Sequence, residues 1–149
     1  MNTFFLSLAV ISGGGVFALL LAKRFILMKT VAVLTIMTGC GVGLYSAVST
    51  LLHPGPATSI TWQWLHIFTL SLRIDAISAF FLIPVFAICG IAAFYSYHYM
   101  DKPERAHRTA VNYFFYSLLV VSMAMVTCAD NLVTFALAWG IIRWLGRRV

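Results

Sequence analysis

The chain has 149 residues, of which 62% are hydrophobic and 9% charged, with a net charge of +6. A water-soluble domain carries about 25% charged residues, so a soluble globule is excluded in favour of a polytopic helical membrane protein. Nucleic-acid binding is excluded as the source of the basicity, because no basic patch is interleaved with aromatic residues.

A bilayer core of about 30 Å needs about 20 apolar residues per helix. Four stretches satisfy that length: residues 3–22, 30–52, 76–98 and 110–129. The expected fold class is therefore all-α and polytopic, as a single membrane domain with a short fifth span over residues 131–145. Residues 1–22 carry no basic residue ahead of their apolar run, whereas Lys23 and Arg24 follow it. That order is opposite to a secretory signal and predicts a retained first helix with its amino terminus outside.

The remaining basic residues follow the same logic. Lys29 lies between spans one and two, Lys102, Arg105 and Arg108 between spans three and four, and Arg143, Arg147 and Arg148 after span five. Only Arg73 lies in a loop of the other parity. The positive-inside bias then places the amino terminus out and the carboxyl terminus in.

Two glycine runs occur within spans, Gly13-Gly14-Gly15 and Gly39-Cys40-Gly41-Val42-Gly43. The spacing of Gly39 and Gly43 is that of closely packed membrane helices. A phosphate-binding loop is excluded, since no strand precedes either run and no Gly-Lys-Ser/Thr follows. After the second span, "LLHPGPATS" ends the helix. From Ile60 to Ile74 the apolar residues Ile60, Trp62, Trp64, Phe68, Leu70, Leu72 and Ile74 are all even-numbered. Alternation of that kind predicts β-structure, a hairpin within an outer loop over residues 53–75, with its turn near Leu65-His66. Trp62 and Trp64 also suit a membrane interface. Pro84 within the third span is tolerated in lipid, usually with a kink.

The search for chemistry is short. The only acids are Asp75, Asp101, Glu104 and Asp130, each at a span edge or in a loop. An ion carrier places ionisable groups inside the membrane, and no complete proton path can be drawn here. Cys40, Cys89 and Cys128 form no metal-binding motif, so no iron–sulfur or zinc site is expected on this chain. Asp130 is a candidate channel-mouth residue or, more simply, the N-cap of the last helix.

Three strings then resemble one family: "SLRIDAISAFFLIPV" (71–85), "YSYHYM" (95–100) and "NYFFYSLLVVSMAMVTCADNLVTFALAW" (112–139). In order and spacing they are similar to the antiporter-like subunits of respiratory complex I. Related proteins occur in hydrogenase-4, formate hydrogenlyase and Mrp-type cation/proton antiporters. Spans four and five look nearest to the antiporter-like membrane components of hydrogenase-4 and formate hydrogenlyase. The resemblance implies an outer β-hairpin after the second helix and proton translocation by the intact subunit, in a multi-pass inner-membrane complex of a hydrogenase or NADH-quinone oxidoreductase. It also implies iron–sulfur clusters on partner subunits and no cofactor here, with other membrane and peripheral subunits and the lipid bilayer as partners. In the family, the tryptophan matching Trp139 precedes a glutamate central to proton translocation. Here Gly140 follows, and residues 140–149 depart from the family wording. The reading is an N-terminal fragment without catalytic residues of its own. The alternatives are a small structural or assembly subunit of such a complex, or a fragment of an Mrp-type antiporter.

Overall fold

The computed structural model describes residues 2–53, 58–64, 68–99 and 106–147. In chain order the elements are α1 (Asn2–Leu20), α2 (Phe25–Leu52), β1 (Thr58–Trp64), β2 (Phe68–Ile74), α3 (Ala76–Tyr99), α4 (Ala106–Thr127) and α5 (Leu132–Leu145). The first four helices are long and apolar enough to cross a membrane, and α5 is a shorter apolar helix. At about 1.5 Å per residue, the 14 residues of α5 reach roughly 21 Å.

The helices run alternately up and down, which named contacts establish. Thr3 near the start of α1 donates to Ser46 near the end of α2, at 3.2 Å. Along the same seam, Gly39 faces Ile11 and Gly14 faces Thr35. Lys29 early in α2 meets Tyr97 late in α3, and Phe115 early in α4 meets Trp144 late in α5. Consequently Lys23, Arg24, Lys29, Arg108, Arg143 and Arg147 gather at one end of the bundle, while Arg73 stands at the other. Lys102, Arg105 and Arg148 lie outside the described residues.

Packing explains the glycines. A Cβ on Gly39 would run into the Ile11 side chain of α1, and one on Gly43 would lie 2.6 Å from Cζ of Phe86 on α3. The two glycines therefore serve two neighbours, and α2 sits between α1 and α3. Gly15 gives the same close approach between α1 and α4, against Ser117. In lipid, where apolar side chains gain little by leaving their surroundings, such close contact between backbones is a main source of helix association. The core that results includes Phe4, Ile11, Met28, Ile36, Leu82, Phe86 and Val120, each buried.

β1 and β2 pair antiparallel, in a register that joins Thr58 to Ile74, Ile60 to Leu72 and Trp64 to Phe68. Every even-numbered residue of one strand thus opposes an even-numbered residue of the other, which is how the alternation in the sequence is realised. The turn expected at Leu65-His66 falls outside the described residues, as do the side chains of Trp62 and Trp64.

One placement differs from the sequence reading. Lys29 belongs to the second turn of α2, not to the loop before it, and is only 6% exposed. Hydropathy ends an apolar stretch at a charge, whereas a helix needs only backbone hydrogen bonds, and these begin at the tight turn over residues 21–24.

Candidate functional site

Polar chemistry lies at the two ends of the bundle. At the end bearing the strands, the α4–α5 turn docks onto the free edge of β2. Arg73 N–H donates to the Cys128 carbonyl at 2.8 Å, and Asp130 N–H donates to the Ser71 carbonyl at 3.0 Å. Leu72 and Ala129 form the bridge between them. A further donor on this edge, Ser71 N–H, is taken by Oγ1 of Thr134 on α5 at 3.1 Å. These bonds close a sheet edge that would otherwise be open, and a lipid-facing edge is costly because lipid offers no partners.

The docking brings Asp130 beside Arg73, at 3.8 Å, with the two side chains 39% and 49% exposed. Such an exposed pair contributes about 0–1 kcal/mol. The N-cap of α5 is Asn131, whose side chain accepts from Val133 N–H. The cap read at Asp130 thus falls one residue later, because the backbone of Asp130 is engaged by β2. Removal of the Thr134 hydroxyl should outweigh removal of the Asp130 charge. Thr134→Val strands the buried Ser71 amide and should cost about 1–3 kcal/mol. Asp130→Asn should cost less than about 1 kcal/mol. Chemical unfolding of both variants in the same detergent checks the order.

Asp75, next to this cluster, caps α3 by accepting from Ser78 N–H at 2.8 Å. That backbone bond, aided by the Ser78 hydroxyl and the Arg73 charge, holds the carboxyl below its usual value of 3.8. A carboxyl depressed in the folded state contributes stability above its unfolded pKa, and the contribution is lost as pH falls through the folded value. Asp75→Ala should therefore cost about 0.5 kcal/mol, the low end for a cap because the group is only half-buried. The difference from the parent should shrink as pH falls from the usual carboxyl value through the lower folded one, and stability curves of the pair at several pH values check it.

At the basic end, Lys29 places its ammonium 4.4 Å from the Tyr97 ring centroid and 5.6 Å from that of Phe25. Ser96 donates to the Tyr113 hydroxyl at 2.9 Å close by. A cavity of about 260 Å³ opens here, lined by Phe25, Ile26, Lys29, Tyr97 and His98. The sequence reading missed this cluster by placing Lys29 in a loop. The available signal was "FILMK", which continues a helical apolar run through the charge.

Between the two ends, the described helices carry no Asp, Glu, Lys, Arg or His. Tyr116 on α4 donates across to the Cys89 carbonyl of α3 at 2.7 Å, whereas several serine and threonine hydroxyls turn back on their own helices. Ser7 donates to the Phe4 carbonyl, Thr35 to those of Val31 and Ala32, and Ser117 to that of Phe114. Among the described residues no His, Cys, Asp or Glu cluster could hold a metal ion. Gly140 lies in α5 with nothing within 4 Å of where its Cβ would stand.

Residues 64–115 match a family described as NADH-Ubiquinone oxidoreductase (complex I), chain 5 N-terminus. They comprise the end of β1, all of β2 and α3, and the first half of α4. No curated protein matches the chain. The four long apolar helices make this a multi-pass membrane protein, and its residues 64–115 are similar to the N-terminal segment of that complex I subunit family.

Proposed function

We propose that residues 1–139 form the opening portion of a proton-translocating, antiporter-like membrane subunit, and that this portion does not move protons by itself. The match over residues 64–115 carries the family part of this reading. The charge map carries the rest: a proton relay needs acidic or basic side chains at depth, and the Lys, Arg and His residues of the described helices stand at the ends. A side chain at position 140 would enter open space outside the bundle, as expected if its partners belong to other helices.

The orientation that follows from the basic end is amino terminus outside and carboxyl terminus inside, in an inner membrane. The parent assembly is a hydrogenase or NADH-quinone oxidoreductase complex, with iron–sulfur clusters and redox chemistry on its other subunits. The ground for reading a piece of a longer subunit is the departure from the family wording after Trp139. Translation of the DNA beyond codon 139 in all three frames tests it. A frame that continues with a Trp-Glu helix and further spans supports the fragment, and its absence favours a small structural subunit.

A further inference from the structure

We propose that the β-hairpin is a latch that sets the depth of α5, holding it at the strand end against the pull of its arginines toward the basic end. The argument starts from length. The 22 residues of α4 reach about 33 Å, enough to cross a hydrocarbon core of about 30 Å, whereas the 14 residues of α5 reach about 21 Å. A helix about 9 Å too short can sit toward one face or the other, since mismatch of this kind costs little per ångström. The ring contact of Trp144 shows where α5 stops, because its partner Phe115 is the tenth residue of α4. That level is about 14 Å along α4 from its basic end. Arg143, at the end of its own helix, thus starts short of the headgroup level that Lys23, Arg24 and Arg108 reach. Extension of the arginine side chain closes part of that gap. A shift of the whole helix would close the rest, and exposed Arg143 and Arg147 both favour it.

The edge of β2 opposes that shift. Ser71 gives both of its main-chain groups to the segment around the start of α5, its carbonyl to Asp130 N–H and its amide to Oγ1 of Thr134. Arg73 N–H goes to the Cys128 carbonyl on the same edge. These groups point away from β1, so the latch and the β1–β2 ladder use opposite edges of one strand. β2 in turn runs through Asp75 directly into α3, whose first turn the Asp75 carboxylate caps. The start of α5 is therefore tied to a full-length span, and it cannot sink without giving up bonds that lipid does not replace. The proposal depends on membrane insertion alone and stands whether or not the chain belongs to a proton-translocating complex.

A nitroxide attached through Leu132→Cys, an exposed position at the start of α5, tests the latch in vesicles containing the full chain. The three native cysteines are buried, and power saturation with oxygen and a nickel chelate reads the depth of the label. Ser71→Pro removes the amide bonded to Thr134 and, on the edge turned away from β1, spares the ladder. It should carry the label about 5 Å deeper, within the roughly 9 Å by which α5 falls short. Adding Arg143→Gln and Arg147→Gln should return the label to its parent depth, because the pull is gone. Thr134→Val should deepen the label by a smaller amount and Thr134→Ser should leave it in place, and this pair gives the answer if Ser71→Pro does not fold. An unchanged depth in Ser71→Pro, or in Thr134→Val where that pair decides, overturns the proposal. A shift that persists without the two arginines overturns it as well.

Discussion

Gly43→Val is expected to destabilise the helix bundle by about 2–3 kcal/mol, the upper part of the range for an overfilled core. A Cβ at this position lies 2.6, 2.7 and 2.9 Å from three atoms of the Phe86 ring. Phe86 is fully buried, and the space beside it is the apolar groove between α2 and α3 that it lines with Cys40, Gly41 and Gly90, so a displaced ring gives up its packed position. Either the ring leaves its rotamer or α2 and α3 separate, and separation sacrifices the contacts of Leu82 and Cys89 as well. Phe86→Ala alone should also cost about 3 kcal/mol, through the cavity it leaves. Combined, the two substitutions should cost less than their sum by at least about 1 kcal/mol, since the valine occupies space that the ring vacates. Denaturant titration in detergent, followed by circular dichroism, measures the cycle. Strict additivity would show that Gly43 and Phe86 do not share a contact.

Gly39→Val should match that loss of about 2–3 kcal/mol but respond differently to rescue. Its Cβ would strike the Ile11 side chain and stand 3.2 Å from the Ser7 carbonyl oxygen. Trimming Ile11 to alanine removes the first obstacle and leaves the second, because a backbone atom of α1 cannot retreat without the helix. The double variant should therefore stay close to the additive expectation. Gly41 and Gly140 supply the control, since nothing lies within 4 Å of either Cβ position. Alanine at both should be neutral or slightly stabilising, by up to about 1 kcal/mol, from the reduced backbone freedom of the unfolded chain. The same residue type thus gives opposite outcomes within one helix, according to what each glycine faces.

The helical class was legible from hydropathy, and the gathering of basic residues from their order along the chain. Both properties are local, and a bilayer imposes them on any sequence that crosses it. The strands were legible from the even-numbered apolar residues between Ile60 and Ile74, which the antiparallel register pairs with one another. Three features were not legible, each for a nonlocal reason. The α5 cap lies on Asn131, and Asp130 is diverted because Ser71, far away in sequence, takes its amide. Lys29 became visible as a buried residue only when Tyr97 and Phe25 were found around it. The spacing of Gly39 and Gly43 suggested one packing face, yet the first meets α1 and the second α3. A sequence displays which residues permit close approach, and the partner is chosen by the topology.

The match over residues 64–115, the up-and-down bundle and the charge-free interior of the described helices support the proposal that these helices form part of a proton-translocating subunit and do not translocate alone. The direct measurement is proton flux into liposomes containing the purified chain, driven by a potassium diffusion potential and read with an enclosed pH dye. The expected rate equals that of protein-free liposomes and is unchanged by Lys29→Gln or Asp130→Asn. Flux that rises in proportion to the amount of inserted chain, and falls with either substitution, would contradict it.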